Sequence, residues 1–92
     1  MDIVRKRFKF YGRVQGVGFR YRAEKSASLY DIYGWIRNND NGSVEMEVQG
    51  TSELINQLIN EMKTVSPYIV IDNIEQKVIQ TKQDESEFII AY

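Results

Sequence analysis

The hydrophobic period of this 92-residue chain switches from two to about 3.6 and back, twice, and the order of those switches limits the folds open to it. The first alternating run puts Val4, Phe8 and Phe10 on one face, with Lys6 between them, and Arg5, Arg7, Lys9 and Tyr11 on the other. That is a strand with one buried face. From Phe19 to Tyr30 the apolar or small residues are Phe19, Ala23, Ala27 and Tyr30, the stripe of a helix. Tyr33 to Asn38 (YGWIRN) reads as a second strand. Ser43 to Gln49 reads as a third, with Val44, Met46 and Val48 inward and Glu45, Glu47 and Gln49 outward. Between them NNDNG, residues 38 to 42, ends in Asn-Gly, a strong hairpin signal because both residues accept positive φ. Gly50 ends the strand, Thr51 is placed to cap a second helix, and Leu54, Leu58 and Met62 mark its inner stripe to about Thr64, widened by Ile55 and Ile59. Pro67 stops it. Tyr68 to about Gln80, rich in Ile and Val, reads as a long strand with room for a bulge. TKQDESE is a polar loop, and Phe88, Ile90 and Tyr92 alternate in a last short strand.

The order β-α-β-β-α-β plus a C-terminal strand is the split β-α-β plan of the ferredoxin-like α+β sandwich: an antiparallel sheet with two helices on one face. A chain of this length fills one two-layer core, so residues 1–92 are expected to form a single domain. In that plan strands one and three lie side by side, and Arg5, Arg7 and Lys9 stand opposite Glu45 and Glu47. Cross-strand pairs of this kind contribute about 0.2 to 1 kcal/mol each.

Charge is unevenly spread. Residues 1 to 25 carry eight Lys/Arg and two acids, a net of +6, whereas the other 67 residues carry four bases and eleven acids, a net of -7. The N-terminal excess therefore binds an anion, pairs with acids elsewhere, or does both. No apolar run approaches the roughly 20 residues of a membrane span, and Met1 opens into a charged, strand-like segment rather than a signal peptide, so a cytoplasmic protein is expected.

There is no cysteine and no histidine. This excludes a disulfide scaffold, a Cys/His zinc site, a thiol nucleophile, a phosphohistidine and a Ser-His-Asp triad. Any chemistry must come from Arg, Lys, Tyr, carboxylates, amides, hydroxyls and backbone dipoles. The strand bases set aside, Arg13 remains, then Val14-Gln15-Gly16-Val17-Gly18 and Arg20 at the start of the first helix. A strand, a glycine-bearing loop and a helix N-terminus make an anion site when the loop N–H groups converge, the helix dipole adds to them and a guanidinium supplies a planar fork of donors. The same residues serve equally as a tight turn with a surface arginine. They match neither the P-loop nor the dinucleotide-binding glycine pattern.

Gly12-Arg13-Val14-Gln15-Gly16-Val17-Gly18-Phe19-Arg20 resembles the G-R-V-Q-G-V-x-F-R signature of the acylphosphatase family. Gly34-Trp35-Ile36-Arg37-Asn38, followed by Gly42-Ser43-Val44-Glu45, is similar to that family's second block, at the family's separation. The resemblance covers nearly the whole chain. Asn41 departs from the family's usual Asp, and Asp31 from a residue often small; the match over 65 to 80 is weaker.

The resemblance implies hydrolysis of acyl phosphates to a carboxylate and inorganic phosphate, with no cofactor, no metal and no covalent intermediate. By carry-over, Arg20 binds the phosphoryl oxygens with the backbone N–H groups of Gln15, Gly16, Val17, Gly18 and Phe19, while Asn38 holds the attacking water. The partners so implied are a small acyl phosphate as substrate and inorganic phosphate as product and inhibitor, acting on a monomer with no membrane or nucleic-acid partner. Trp35 is assigned to packing. Arg20 as a bare helix-start arginine would oppose the dipole by a few tenths of a kcal/mol, and Asn38 alone would be an ordinary hairpin residue. Two other readings compete: an RNA-binding module of the same element order, which the lack of an aromatic run on strand three disfavours, and a non-catalytic phosphate-ligand sensor, or a domain like the N-terminal one of hydrogenase-maturation carbamoyltransferases.

Overall fold

A computed structural model describes residues 2–64 and 66–92. Its elements are β1 (Ile3–Arg13), α1 (Phe19–Leu29), β2 (Tyr33–Asn38), β3 (Val44–Thr51), α2 (Ser52–Thr64), β4 (Val70–Ile79) and β5 (Phe88–Ile90), the order read from the periodicity. Met1, where the N-terminal reading began, lies outside the described residues. The five strands form one sheet in the order β4-β1-β3-β2-β5. Three ladders are antiparallel, as expected, but β5 pairs with β2 in parallel. Three residues of strand carry too little local pattern to announce the direction of a partner so far back in the chain.

Both helices cover one face. Phe8, Phe10, Ile36, Val44, Met46 and Val48 from the sheet pack with Phe19, Ala23 and Ala27 of α1 and Ile55, Leu58, Ile59 and Met62 of α2 in one buried cluster. The alanines let α1 lie close on the strands. Leu54, expected on the inner stripe of α2, is only half-buried and sits at the margin of this cluster. Strand β4 is an edge strand, mostly wet, so its burial shows no alternation. Its pairing with β1 slips between Tyr11 and Gly12, which is the irregularity that the long Ile/Val-rich run left room for.

The open face carries the charged residues, with one departure. Arg7 stands opposite Glu47 and Lys9 opposite Glu45. Arg7 Nε reaches Glu45 at 2.8 Å, Arg37 Nη2 reaches it from the other side at 3.2 Å, and Lys9 forms no ion pair among the described residues. Burial alone would push the Glu45 carboxyl up, but the hydrogen bond from Arg37 and the charge of Arg7 outweigh it and hold the group below its ordinary value. Arg5 faces Gln49 rather than a glutamate and is completely buried. The segment after β4 folds over it: Arg5 Nη1 and Nη2 hold both carboxylate oxygens of Glu85 at 2.7 and 3.2 Å, and Nε holds Glu47 at 2.9 Å. Gln49 fastens the same segment through Lys82, donating to its carbonyl at 2.9 Å and accepting from its N–H at 2.8 Å. Trp35 packs on this open face, half-buried, with the Arg37 guanidinium 5.1 Å from its ring centroid.

One glycine fixes how closely β2 and β3 approach. Gly34 has φ +147°, and a Cβ there would stand 1.9 Å from the Glu47 carbonyl oxygen. Because the obstacle is backbone within a ladder, it can yield only by breaking strand pairing. Gly34→Ala is expected to lower stability by about 2 to 4 kcal/mol, read as a lower urea midpoint with an unchanged m-value.

Candidate active site

Three strands end together. Val44 of β3 pairs with Phe10 on one side and with Asn38 on the other, so the C-terminal ends of β1 and β2 flank the same point of the sheet. Strand β5 runs parallel to β2, and Ala91 N–H donates to the Ile36 carbonyl at 2.8 Å, carrying Tyr92 to that end as well. The loop after β1 lies there between two buried anchors, Val14 and Phe19, with Phe19 packed edge-on against Phe10 at 5.1 Å between ring centroids.

Between the anchors the backbone is exposed and left-handed at Gly16 (φ +72°) and Gly18 (φ +78°). Gly18 is the N-cap of α1, supplies no side-chain cap, and is followed by a first turn without an acidic residue. Helix α2 differs: Thr51 Oγ1 accepts from Leu54 N–H at 3.3 Å, and Glu53 sits in its first turn. The first intrahelical bond of α1 runs from Arg22 N–H to the Gly18 carbonyl at 3.1 Å. Among the described residues no protein acceptor meets the N–H groups of Gln15, Gly16, Val17, Gly18 or Phe19. Unpartnered N–H groups and the positive end of the helix dipole thus meet in the loop for which the residues alone allowed an anion site or a tight turn.

Arg20 lines a cleft of about 260 Å³ with Val14, Gly16, Gly18, Phe19, Tyr21, Ile90 and Tyr92. It forms no ion pair among the described residues, and its guanidinium carbon lies 5.4 Å from the centre of the Tyr92 ring. The wall made by Ile90 and Tyr92 was not foreseen. Their alternation marked a strand, and only the parallel pairing brings that strand to Arg20.

Asn38 is outside the lining of that cleft, at the last position of β2. Its Oδ1 is buried and accepts no hydrogen bond from the described residues. Gln15 ties the loop to this corner, its Nε2 donating to the carbonyls of Asn39 at 2.8 Å and Ser43 at 2.9 Å. The family resemblance implies a backbone role for Gln15, and its side chain adds this staple between the loop and the hairpin. Asn41, where the resemblance showed a departure, closes the turn by accepting from Ser43 N–H and Oγ at 3.0 and 2.6 Å.

A family model, Acylphosphatase, matches residues 6–90. The chain is 37% identical over 84 residues to an acylphosphatase of Clostridium acetobutylicum, covering 91% of this chain and 92% of that one. It superposes on the crystal structure of an acylphosphatase from Bacillus subtilis with a TM-score of 0.89 at 30% identity, over 97% of this chain and 99% of the other. It also superposes, with a TM-score of 0.89 at 29% identity, on 12% of full-length HypF in its phosphate- and nucleotide-bound form, that match covering 99% of this chain. With its two motifs, its strand order and these matches over almost its full length, the chain belongs to the acylphosphatase family.

Proposed function

We propose that this chain, as a single-domain monomer, hydrolyses the carboxyl-phosphate anhydride of acyl phosphates. The observation that carries the reading is the run of unpartnered N–H groups from Gln15 to Phe19 beside an arginine with no ion pair among the described residues. The phosphoryl oxygens sit in that ring of amides and on the Arg20 guanidinium, whose parallel N–H groups match two of them. A water accepts its place from the other side by donating to Asn38 Oδ1. Its oxygen attacks phosphorus in line, the bond from phosphorus to the acyl oxygen breaks, and that electron pair leaves on the carboxylate. The water's protons end on the phosphate product or in solvent.

The residue inventory suits this bond. A carboxylate leaves as the anion of an acid of pKa about 4 to 5, so no general acid is needed. Phosphoryl transfer through a loose transition state asks chiefly for positioning and for charge stabilisation of the equatorial oxygens. The Arg20 guanidinium and the unpartnered loop amides supply both. In this reading the compensating positive charge comes from Arg20 and the helix dipole.

A nucleic-acid reading is not favoured: the outward residues of β3 are Glu45, Glu47 and Gln49, engaged by Arg7, Arg37 and Arg5, which leaves no aromatic for base stacking on that strand. No helix among the described residues is long and apolar enough to cross a membrane. The test is benzoyl phosphate hydrolysis followed by absorbance. Turnover is expected to be undiminished by EDTA and to be inhibited competitively by inorganic phosphate, which takes the same cradle. Absence of turnover on any acyl phosphate, with phosphate still bound, would leave a sensor of phosphate ligands instead.

A further inference from the structure

We infer that α1 carries a second anion subsite, formed by Arg22 and Lys25, which selects acyl phosphates whose acyl group ends in a second negative charge. The inference rests on the acylphosphatase reading and names the substrate class of the same site. A groove of about 420 Å³, lined by Val17, Gly18, Tyr21, Arg22, Lys25 and Ser26, adjoins the Arg20 cleft and shares Gly18 and Tyr21 with it. A ligand whose phosphoryl group occupies the cradle has its acyl chain directed along one of the walls leading away, and this wall is cationic.

Helical geometry explains the arrangement. Side chains on a helix lean toward its N-terminus, so a residue covers the surface about one turn before it. Arg22 therefore leans over Gly18 and Lys25 over Tyr21, where Lys25 Nζ lies 5.4 Å from the ring centroid. At about 1.5 Å of rise per residue the Cα atoms of Arg22 and Lys25 follow Gly18 by about 6 and 10 Å along the axis, and the lean of about one turn brings the Lys25 ammonium back to about 5 Å beyond it. A dicarboxylic acyl phosphate with two methylenes between its carbonyl and free carboxylate spans a comparable distance. Neither cation forms an ion pair among the described residues. The acid nearest in sequence, Glu24, lines a different groove with Asp31 and Glu87. Helix α1 thus separates its charges, Arg22 and Lys25 toward this groove and its single acid, Glu24, away from it, in a chain whose overall net charge is -1.

The experiment compares succinyl phosphate with butyryl phosphate, which has the same acyl length and a neutral end, in the wild type and in the double variant Arg22→Gln/Lys25→Gln. The ratio of kcat/KM for succinyl over butyryl phosphate is expected to fall about 3- to 10-fold in the variant, the range of two partly exposed ion pairs, with butyryl turnover unchanged. The wild-type ratio is also expected to fall as salt is raised, and Lys25→Glu to lower it further. An unchanged ratio with normal butyryl turnover overturns the subsite alone. Equal loss on both substrates also overturns it, because the two cations would then act on the cradle. Failure of the wild type to cleave either compound overturns the acylphosphatase reading, and the subsite with it.

Discussion

Arg20→Gln is expected to lower kcat/KM for benzoyl phosphate by about 10³-fold or more, the scale on which a transition-state arginine acts in phosphoryl transfer, while the protein melts at an unchanged or slightly higher temperature. The two halves of this outcome have separate causes. Among the described residues the guanidinium is the one cationic side chain lining the cleft with the unpartnered loop amides, so in the proposed mechanism its loss removes both binding and charge stabilisation. Its contribution to folding is small. It forms no ion pair among the described residues, and as a cation in the first turn it opposes the helix dipole by a few tenths of a kcal/mol. Contact with the Tyr92 ring returns roughly the same amount. Arg20→Lys is expected to recover little activity, since an ammonium is a point charge and cannot present two parallel donors. Inhibition by inorganic phosphate is expected to weaken in both variants. If Arg20→Gln bound phosphate as the wild type does, the guanidinium would not be touching the phosphoryl group.

Much of the fold is legible in the sequence, and the reason differs from element to element. Strands β1 and β3 were readable because one face is covered by helices and the other is wet, which imprints period two on the residues. The β2–β3 turn was readable because Asn41-Gly42 accepts a conformation that few dipeptides do. Strand β4 was readable only by its Ile and Val content: as a wet edge strand it has no buried face to impose alternation. The direction of β5 was not readable, and with it went the cleft wall of Ile90 and Tyr92.

Arg5 shows the same limit from the other side. Its alternation said surface, and by pairing alone it is on the open face. It is buried because Glu85, 80 residues away, is brought over it by a loop whose own sequence is merely polar. At the site, residue types and glycine positions allowed an anion cradle and a tight turn equally, and the two spaced motifs pointed to the first. The side-chain role of Gln15 was hidden because its acceptors are backbone carbonyls of Asn39 and Ser43, which no residue pattern displays.

Asn38→Ala is the variant that separates water from phosphate. The Oδ1 of Asn38 is buried and no described residue donates to it, so its removal breaks no hydrogen bond among the described residues. Deleting the amide is therefore expected to leave the denaturation midpoint nearly unchanged. The kinetic effect is larger: kcat is expected to fall about 10²- to 10³-fold, the usual cost of losing one preorganised polar contact to a reacting group. KM and the phosphate inhibition constant are expected to stay close to wild type, because in the proposed mechanism the phosphoryl oxygens are held by Arg20 and the loop amides rather than by Asn38. This is the inverse of the Arg20→Gln pattern, in which phosphate binding is lost together with turnover. Asn38→Asp sharpens the point. It keeps an oxygen acceptor in the same place but adds negative charge near a phosphoryl group, so it is expected to remain impaired. A near-wild-type kcat in Asn38→Ala would remove the water-orienting role and reduce Asn38 to the residue that ends β2.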